Sequence, residues 1–520
     1  MPRRTSDAGH AKRGGRAGRQ AARAQSVTPR KPYITRAVAP LEILSEDGLA
    51  IIEQNADAIL RDIGMEFRDD PEILDILKSA GADVQGERVR FEPGMCRTII
   101  QATAPAQFIQ HARNPKNSVQ IGSDATVLAP SWGPPFVHDL DKGRRYATYD
   151  DFERLIKIHQ TIPYLHHSGG IVCEPVDLPP ETRHLDMLLA HIRWSDRAFF
   201  GALIGAERAG HSVEMAKIVF GEKFVAENCV LYGVSNTNAP LVLDSAMSGA
   251  LKTYARNNQA VACTPWTLAG AMSPCTVAGT LAQVLAEAMA TLCLLQLINP
   301  GAPCLMGSFA STMSMQSGAP TFGTPEAAKM VLASGQLARR LGVPLHTVGS
   351  LSASKLPDGQ SQQEGTMGLM MAMMAGANFI NHATGWLEGG LVTGYEKTIL
   401  DADLCGKLAA FFEGVDLSEN AQALDAIAEV GPGDHFLGST HTQANFATAF
   451  YMATTADANS YEQWQADGGK SAEVRANEIW KQRLQDYEAP PLDAAILEEL
   501  EAYVTRTKEA LTSGAGNVTG

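Results

Sequence analysis

The amino-acid sequence predicts an α/β protein built on a (β/α)8 barrel with helical N-terminal and C-terminal extensions. Between residues 126 and 413, eight short apolar runs typical of buried strands alternate with eight segments that have helical spacing. Regular alternation indicates a parallel sheet, and units of about 30–45 residues fit a closed barrel better than an open sheet. The alternative, an open doubly wound sheet, normally carries Gly-x-Gly-x-x-Gly after its first strand, where this chain has Ser-Trp-Gly-Pro-Pro-Phe at 131–136.

Each unit of the barrel can be assigned in order along the chain. The strands are predicted at residues 126–130, 164–172, 198–204, 229–235, 260–265, 303–308, 344–349 and 378–383. The helices that follow them are predicted at residues 148–160, 180–194, 207–220, 242–257, 277–298, 325–341, 360–375 and 396–413. The sixth helix has the plainest start signals, because Thr324 can cap it, Pro325 suits its first turn and Glu326 favours the positive helix end.

The segments outside the barrel are predicted to be mainly helical. Ser45 can cap a helix over residues 45–63, a second helix covers 71–80, and a short strand is expected at 88–91. The predicted boundaries are 1–36 for a disordered basic tail, 37–125 for the N-terminal helical extension, 126–415 for the barrel, 416–512 for the C-terminal helical extension and 513–520 for a flexible tail.

The first 36 residues differ from the rest in charge. They hold ten Lys or Arg and one acidic residue, with few large apolar side chains, so they are predicted to be disordered. A nucleic-acid arm is one interpretation, but the formal net charge of the whole chain is −14, so the remainder is strongly acidic. A solvated tail or a weak docking arm is favoured, and no nucleic-acid partner is predicted.

Composition places the protein among ordinary globular proteins. Hydrophobic residues make up 45% and charged residues 19%. The longest apolar segment, residues 277–298, is interrupted by Gln283, Glu287 and Gln296, so it is predicted to be a buried helix and not a membrane span. No secretory signal is recognised, and none of the eight cysteines forms a Cys-x-x-Cys pair, which favours a reducing cytoplasm. A zinc site made from distant cysteines is the open alternative.

Aromatic residues gather where the predicted strands end, which is where (β/α)8 barrels carry their active sites. Convergent aromatic faces suit a quaternary ammonium group, because each ring attracts a cation by about 0.5–2 kcal/mol. Glu388 could add a counter-charge. The alternative is that the rings only pack the barrel rim. The aromatic candidates are Trp132, Phe136, Trp266, Phe309 and Trp386.

Histidines and methionines give weaker signals. His166 and His167 are adjacent on a strand and point to opposite faces, so a single buried histidine is favoured over a metal site. His435 and His441 flank a glycine-rich turn without a recognisable third ligand. The methionines at 367–374 are typical of deformable core. No P-loop, G-x-S-x-G, H-E-x-x-H or D-x-H-x-x-G segment occurs, so no metal and no directly bound cofactor is predicted.

At several motifs the chain resembles the trimethylamine methyltransferase family, from about residue 38 to about residue 508. The matching stretches are GPPFV at 133–137, NPGAP at 299–303 with GSF at 307–309, SKLPD at 354–358 with Gln360, GWLEGG at 385–390, and GPGDHFLG at 431–438 followed by His441-Thr442. The resemblance implies a (β/α)8 barrel that moves a methyl group from an amine to the cobalt(I) of a corrinoid. A separate small protein carries that corrinoid, which agrees with the missing cobalamin motif.

The founding members of the family use pyrrolysine in the barrel, expected here within about His346–Glu364, where every residue is a standard one. The resemblance therefore implies a member without pyrrolysine, acting on a quaternary amine, above all glycine betaine. A quaternary ammonium is already an activated leaving group, so no general acid is needed and no catalytic residue is assigned. The carboxylate of a betaine would need a cationic or hydrogen-bonding partner, for which Asn236, His346 and Lys355 are candidates.

Alternative functions stay open at this point. A quaternary-amine binding or sensing protein could keep the barrel without turnover, and a trimethylamine methyltransferase or an unrelated barrel lyase or hydrolase are further possibilities. The predicted partners are a small quaternary amine and a cognate corrinoid protein, with no membrane. A homo-oligomer is also predicted.

Overall fold

Short parallel strands form the barrel of this protein, described by a computed structural model over residues 30–514. The barrel strands are β1 (Ala125–Leu128), β2 (Phe199–Phe200), β3 (Leu231–Thr237), β4 (Ala260–Ala269), β5 (Cys304–Gly307), β6 (Leu345–Val348) and β7 (Phe379–Asn381). They lie side by side in the order β2-β3-β4-β5-β6-β7-β1, and every one of these pairings is parallel. The predicted (β/α)8 fold class is confirmed.

An extended segment at residues 166–169 closes the ring between β1 and β2. His166 N donates to Leu128 O at 3.0 Å, and Phe200 N donates to Gly169 O at 3.0 Å. The segment predicted as a strand at 164–172 therefore occupies the expected position in the barrel. It does not form a regular strand, because its ladder pairing is limited to one isolated parallel bridge between His167 and Ala198. The backbone of Gly169 has a φ of 91°, a left-handed conformation that ends the extended run.

The predicted barrel helices are confirmed within a few residues. They are α1 (Tyr149–Thr161), α2 (Arg183–Trp194), α3 (Ala206–Phe220), α4 (Ser245–Arg256), α5 (Val277–Ile298), α6 (Pro325–Leu341), α7 (Gly359–Met374) and α8 (Tyr395–Phe412). The start of α6 has the predicted chemistry, because Thr324 accepts a hydrogen bond from the backbone N–H of Ala327. Side-chain caps also begin α1 at Thr148, α4 at Asp244 and α7 at Asp358.

Helix α5 is long and apolar enough to cross a membrane by length and composition, but 89% of its most apolar window is buried inside the protein. Its one carboxylate, Glu287, is fully buried and supports the loop after β3. Glu287 accepts hydrogen bonds from the backbone N–H of Leu241 at 3.0 Å and from Gln283 at 2.9 Å, and it also bonds Thr237. This is the buried core helix that the sequence predicts.

The segment before the barrel contains the strand predicted at 88–91, observed at Arg88–Arg90, and four further strands that were not predicted, so it is less helical than expected. Its helical segments are Glu46–Ala58, Ile59–Ile63 (a π-helical turn), Pro71–Ser79, Met95–Thr103 and Pro115–Asn117. Its strands are Met65–Phe67, Asp83–Gln85, Arg88–Arg90, Gln107–Gln110 and Val119–Gly122. The last of these carries Val119 and Ile121, both fully buried, on either side of a half-buried Gln120, a two-residue period that indicates a strand.

The predicted disordered tail falls mostly outside the described residues, which begin at 30. Its last part is ordered, because Ile34–Thr35 forms a strand that pairs antiparallel with β1. Ile34 is 2% exposed, so burial of this apolar side chain places the start of ordered structure before residue 36, on the N-terminal side of the predicted boundary. Residues 515–520 of the predicted flexible tail also lie outside the described range.

Short strands beside the barrel shape its loops. These are Phe136–Asp139, Gly143–Tyr146, Val242–Leu243, Phe309–Met313, Pro320–Thr321, Trp386–Leu387 and Val392–Gly394. Four of them pair into one small sheet that joins the 136–146 hairpin to the 386–394 hairpin, while Phe309–Met313 runs parallel to the second half of β4. Three of the aromatic candidates, Phe136, Phe309 and Trp386, lie on these short strands.

Internal contacts divide the described C-terminal part between two units. Residues 415–452 belong to one unit, with helices Glu419–Gln422, Leu424–Val430 and Thr440–Asn445 and a 3-10 turn at Phe436–Gly438. Residues 453–514 belong to the unit of the barrel and contain the helices Tyr461–Ala466, Ala472–Gln485 and Ala494–Gly514. The same unit also contains the short helix Glu222–Glu227, which follows α3. Trp480 and Asn477 of helix Ala472–Gln485 donate to the buried Glu396 of α8, at 2.9 and 2.8 Å.

Candidate active site

The barrel mouth, where the strands end and their following loops begin, brings two predicted rings into contact. Trp266 of β4 pairs in parallel register with Phe309, and the two rings stack with their centroids 5.7 Å apart and their planes 23° apart. At Gly307, the last residue of β5, there is no room for a side chain, because a Cβ atom would lie 1.9 Å from the Thr264 hydroxyl oxygen. Glycine at this position lets the ring-bearing strand approach β4.

A third predicted ring, Trp386, joins this pair from the loop after β7. Its centroid lies 6.3 Å from that of Phe309 and 6.3 Å from that of Phe322, edge to face in both cases. Gly390 makes room for the indole, since a Cβ atom there would come within 2.3 Å of it. Trp386 is 7% exposed and Phe309 is 6% exposed, whereas Trp266 keeps 38% of its surface exposed.

A fourth ring at this place, His382, was not among the candidates drawn from the sequence. Its centroid lies 4.2 Å from that of Trp386 and 6.1 Å from that of Phe309. Its Nδ1 atom accepts the backbone N–H of Trp132 at 3.1 Å. Burial lowers the pKa of His382 to about 3, with a smaller contribution from His346, so its imidazole is neutral near pH 7. We call Trp266, Phe309, Trp386 and His382 the mouth rings.

Two further candidates face the inside of the barrel near the mouth. Trp132 packs edge to face on Phe200 of β2, with centroids 4.5 Å apart. Asn236 lies on the same side of β3 as Tyr232 and Val234, which pack in the barrel interior, and it is half-buried near the strand's end.

The remaining polar candidates are differently placed. His346 is buried beneath the mouth, where its Nδ1 atom lies 2.6 Å from the Tyr232 hydroxyl oxygen and burial lowers its pKa to about 3. It therefore offers no positive charge at neutral pH. Lys355 is exposed on the loop after β6, and its ammonium group donates to Ala353 O at 2.9 Å.

Phe136 and Glu388 belong to a different arrangement from the mouth rings. The guanidinium carbon of Arg144 lies 3.6 Å from the centroid of the Phe136 ring. The Nε atom of Arg144 lies 3.0 Å from a carboxylate oxygen of Glu388, and Tyr146 packs 4.4 Å from Phe136. We call Phe136, Arg144 and Glu388 the internal cation site, because a side chain of the protein already supplies its cation.

A buried ion pair that the sequence reading missed lies behind the mouth. Lys397 and Asp401 of α8 are both fully buried, with Nζ and Oδ1 2.6 Å apart. Asp401 also accepts hydrogen bonds from the Ser350 hydroxyl and from the backbone N–H of Gly385, each at 2.9 Å. The pair thus joins the loops after β6 and β7. Opposite charges at i and i+4 of the helix were the available signal.

The described residues contain no group of three or more His, Cys, Asp or Glu side chains that could hold a metal ion. His167 is fully buried, with its Nδ1 atom accepting the backbone N–H of Gly169 at 3.0 Å. His441 contacts Asn420 O through Nε2 at 2.9 Å within the unit of residues 415–452. All eight cysteines are free thiols, and all except Cys275 are buried.

A closed (β/α)8 barrel with a mouth of aromatic rings and neutral polar groups defines a barrel enzyme suited to a small organic substrate. The chain belongs to the trimethylamine methyltransferase family, whose family model, described as trimethylamine methyltransferase (MTTB), matches residues 12–512. The protein is accordingly a methyltransferase.

Two relatives recognised by sequence agree with this assignment. The chain is similar to the glycine betaine methyltransferase of Desulfitobacterium hafniense, with 40% identity over 89% of this chain and 96% of the relative. It is also similar to a trimethylamine methyltransferase of Methanosarcina mazei, with 25% identity over 91% of this chain and 97% of the relative. The solved monomethylamine methyltransferase of Methanosarcina barkeri covers 87% of this chain and 96% of its own, with a TM-score of 0.44 and 11% identity.

Proposed function

We propose that this protein transfers a methyl group from a quaternary amine, glycine betaine, to a corrinoid carried by a separate protein. The observation that carries the proposal is the 40% identity, over nearly the whole of both chains, to a glycine betaine methyltransferase. The mouth rings support it, because their aromatic faces attract a trimethylammonium group that cannot donate N–H hydrogen bonds.

The chemistry asks little acid–base work of the protein. When a methyl carbon of glycine betaine is attacked, the C–N bond breaks and its electron pair stays on nitrogen. The product is dimethylglycine with an uncharged tertiary amine. No proton has to be supplied to this leaving group. The chain must hold the cation, orient one methyl group outward and keep water away. Neutral His346 and His382 suit that task, since neither places a positive charge beside the ammonium.

The corrinoid supplies a cobalt(I) nucleophile for the methyl carbon when its carrier protein docks. The mouth fits such docking, because β4 and the three segments that follow β5, β6 and β7 each expose one large apolar side chain to solvent. These are Trp266 with β4, Met315 after β5, Leu356 after β6 and Leu391 after β7, exposed by 38%, 70%, 50% and 49%. Exposed apolar groups around a site are typical of a protein-binding surface. A homo-oligomer and a cytoplasmic location also stay predictions.

The test uses the purified full-length protein, glycine betaine and a corrinoid protein reduced to cobalt(I). We expect a methyl–cobalt absorbance spectrum and an equal amount of dimethylglycine by NMR, with choline and trimethylamine as competing substrates. Trp386→Ala should slow transfer about 10-fold, because it removes one ring from the cation. Tyr146→Ala is the matched control, since Tyr146 is 62% exposed beside Phe136. Calorimetric binding of betaine without any methyl transfer would instead indicate a sensing protein.

A further inference from the structure

His382 connects three loops of the mouth through its backbone and its ring. Its backbone N–H donates to Pro130 O at 3.2 Å, and its carbonyl accepts from Ser350 N at 2.8 Å. Its φ is 54°, a left-handed conformation that few non-glycine residues adopt. Such conformations persist where the surroundings hold them, and they gather at ligand sites.

The contact with Trp132 determines which imidazole nitrogen of His382 carries the proton. Nδ1 accepts a backbone N–H at 3.1 Å, so it carries no hydrogen of its own. A neutral imidazole has one N–H, which must then be at Nε2. The low pKa of this buried side chain agrees with the neutral form.

The Nε2–H of His382 is an unused donor. Among residues 30–514 it has no hydrogen-bond partner, and the residue keeps 8% of its surface exposed. Unlike the indole nitrogen of Trp386, which is buried without a partner, His382 Nε2 is not enclosed. The imidazole that carries this donor lies beside the other mouth rings, with its centroid 4.2 Å from that of Trp386 and 6.1 Å from that of Phe309.

We propose that His382 donates this N–H to the carboxylate of a bound betaine and thereby selects carboxylate-bearing quaternary amines over simple ones. The inference rests on the proposed function and names how its substrate class is recognised. In glycine betaine one carbon separates the ammonium from the carboxylate, so the carboxylate partner must lie beside the aromatic faces. His382 does, with its ring 4.2 Å from Trp386.

Two competing carboxylate partners are less suitable. His346 lies beneath the mouth rings, since its ring stacks on Tyr232 and Phe379 with centroids 5.8 and 5.5 Å away, and it is 2% exposed against 8% for His382. Lys355 is exposed and donates to Ala353 O. A neutral donor has a further advantage, because it binds the carboxylate without repelling the ammonium group of the same ligand.

A pair of near-isosteric variants separates the two nitrogens of His382. In His382→Asn, the side-chain oxygen replaces Nδ1 as the acceptor for Trp132, and asparagine tolerates a positive φ, but nothing replaces Nε2. In His382→Gln, the amide nitrogen can replace Nε2, but the acceptor for Trp132 is lost. Calorimetry on the full-length protein would measure the Kd of glycine betaine and of tetramethylammonium, which lacks a carboxylate.

We expect His382→Asn to weaken glycine betaine binding about 10- to 100-fold, as for the loss of a hydrogen bond to a charged group. Tetramethylammonium binding should stay within about twofold of wild type, because the Trp266, Phe309 and Trp386 rings that attract the cation all remain. His382→Gln should bind glycine betaine more tightly than His382→Asn does. Unchanged betaine binding by His382→Asn, or equal weakening of both ligands, would overturn the proposal.

The same experiment distinguishes failure of the proposed function from failure of the proposed role of His382. If wild type neither binds betaine nor transfers its methyl group, the proposed function and the role of His382 both fall. If wild type does both and His382→Asn behaves identically, only the role of His382 falls. Thermal melting of both variants verifies that each is folded.

Discussion

The mouth rings and the internal cation site are both groups of aromatic side chains, but only the internal cation site already contains a cation. In the internal cation site, the Arg144 guanidinium lies over Phe136 and pairs with Glu388. At the mouth rings, no Lys or Arg among the described residues lies over Trp266, Phe309 or Trp386. A sequence pattern of aromatic residues therefore predicts that a cation could bind, but only the folded chain shows whether a side chain of the protein already occupies that place.

The two places also differ in the ion pairs that support them. The Arg144–Glu388 pair is partly solvated, with side chains 41% and 15% exposed. The Lys397–Asp401 pair behind the mouth is fully buried. Its carboxylate accepts hydrogen bonds from Ser350 and Gly385, which lie on the loops after β6 and β7. Burial makes the second pair costly to break, because each charge depends on the other.

The largest effect is expected when the buried pair is broken. Lys397→Met leaves the Asp401 carboxylate without its cation in a dry environment, so the free energy of unfolding should fall by about 3–5 kcal/mol. Urea denaturation of the full-length protein measures this. Lys397→Met combined with Asp401→Leu should recover much of the loss, since no buried charge then remains. A change below about 1 kcal/mol in the single variant would mean that water reaches the pair.

A smaller effect separates the two aromatic places by ligand binding. Trp266→Ala removes the most exposed of the mouth rings and should weaken glycine betaine by about 0.5–2 kcal/mol, the range of one cation–π contact. Phe136→Ala is the matched control and should leave betaine affinity unchanged, because Arg144 covers that ring. Calorimetric titration of both variants gives the comparison. Equal losses would place Phe136 in the substrate site after all.

Much of the barrel could be predicted from the sequence because its strands are continuous apolar runs and its helices have clear periodicity. Apart from the strand at Arg88–Arg90, the strands of the N-terminal segment could not, since Val119–Gly122 pairs with Gln107–Gln110 and with β1, partners that local pattern does not reveal. Tertiary pairing, and not local propensity, decided that segment.

The site was predictable only in part, for a similar reason. Trp266 and Phe309 could be placed together because both follow adjacent strands of a parallel sheet. His382 was missed because its role depends on a positive φ and on an N–H of Trp132, 250 residues earlier in the chain. The Arg144 contact of Phe136 was not predicted, because the hairpin partner strand brings Arg144 to the ring and strand-end position alone does not indicate this.

The smallest effect is expected at the internal cation site itself. Arg144→Gln removes a partly solvated ion pair and its cation–π contact, so the free energy of unfolding should fall by at most about 1 kcal/mol. Arg154→Gln is the matched control, because Arg154 pairs with Asp150 on α1 with a similarly exposed side chain, 43% against 41%. Glycine betaine affinity and methyl transfer should stay at wild-type values in both variants.

The Arg144→Gln variant also exposes the face of Phe136 and leaves Glu388 without its cation. The internal cation site could then accept a cation from solution. Tetramethylammonium should then bind a second, weaker position, seen as an increase in calorimetric stoichiometry above that of wild type at millimolar ligand. Combining Arg144→Gln with Phe136→Ala should abolish the extra position, since the ring that attracts the cation is gone. Loss of methyl transfer in Arg144→Gln alone would show that the internal cation site takes part in catalysis and that the two places act as one.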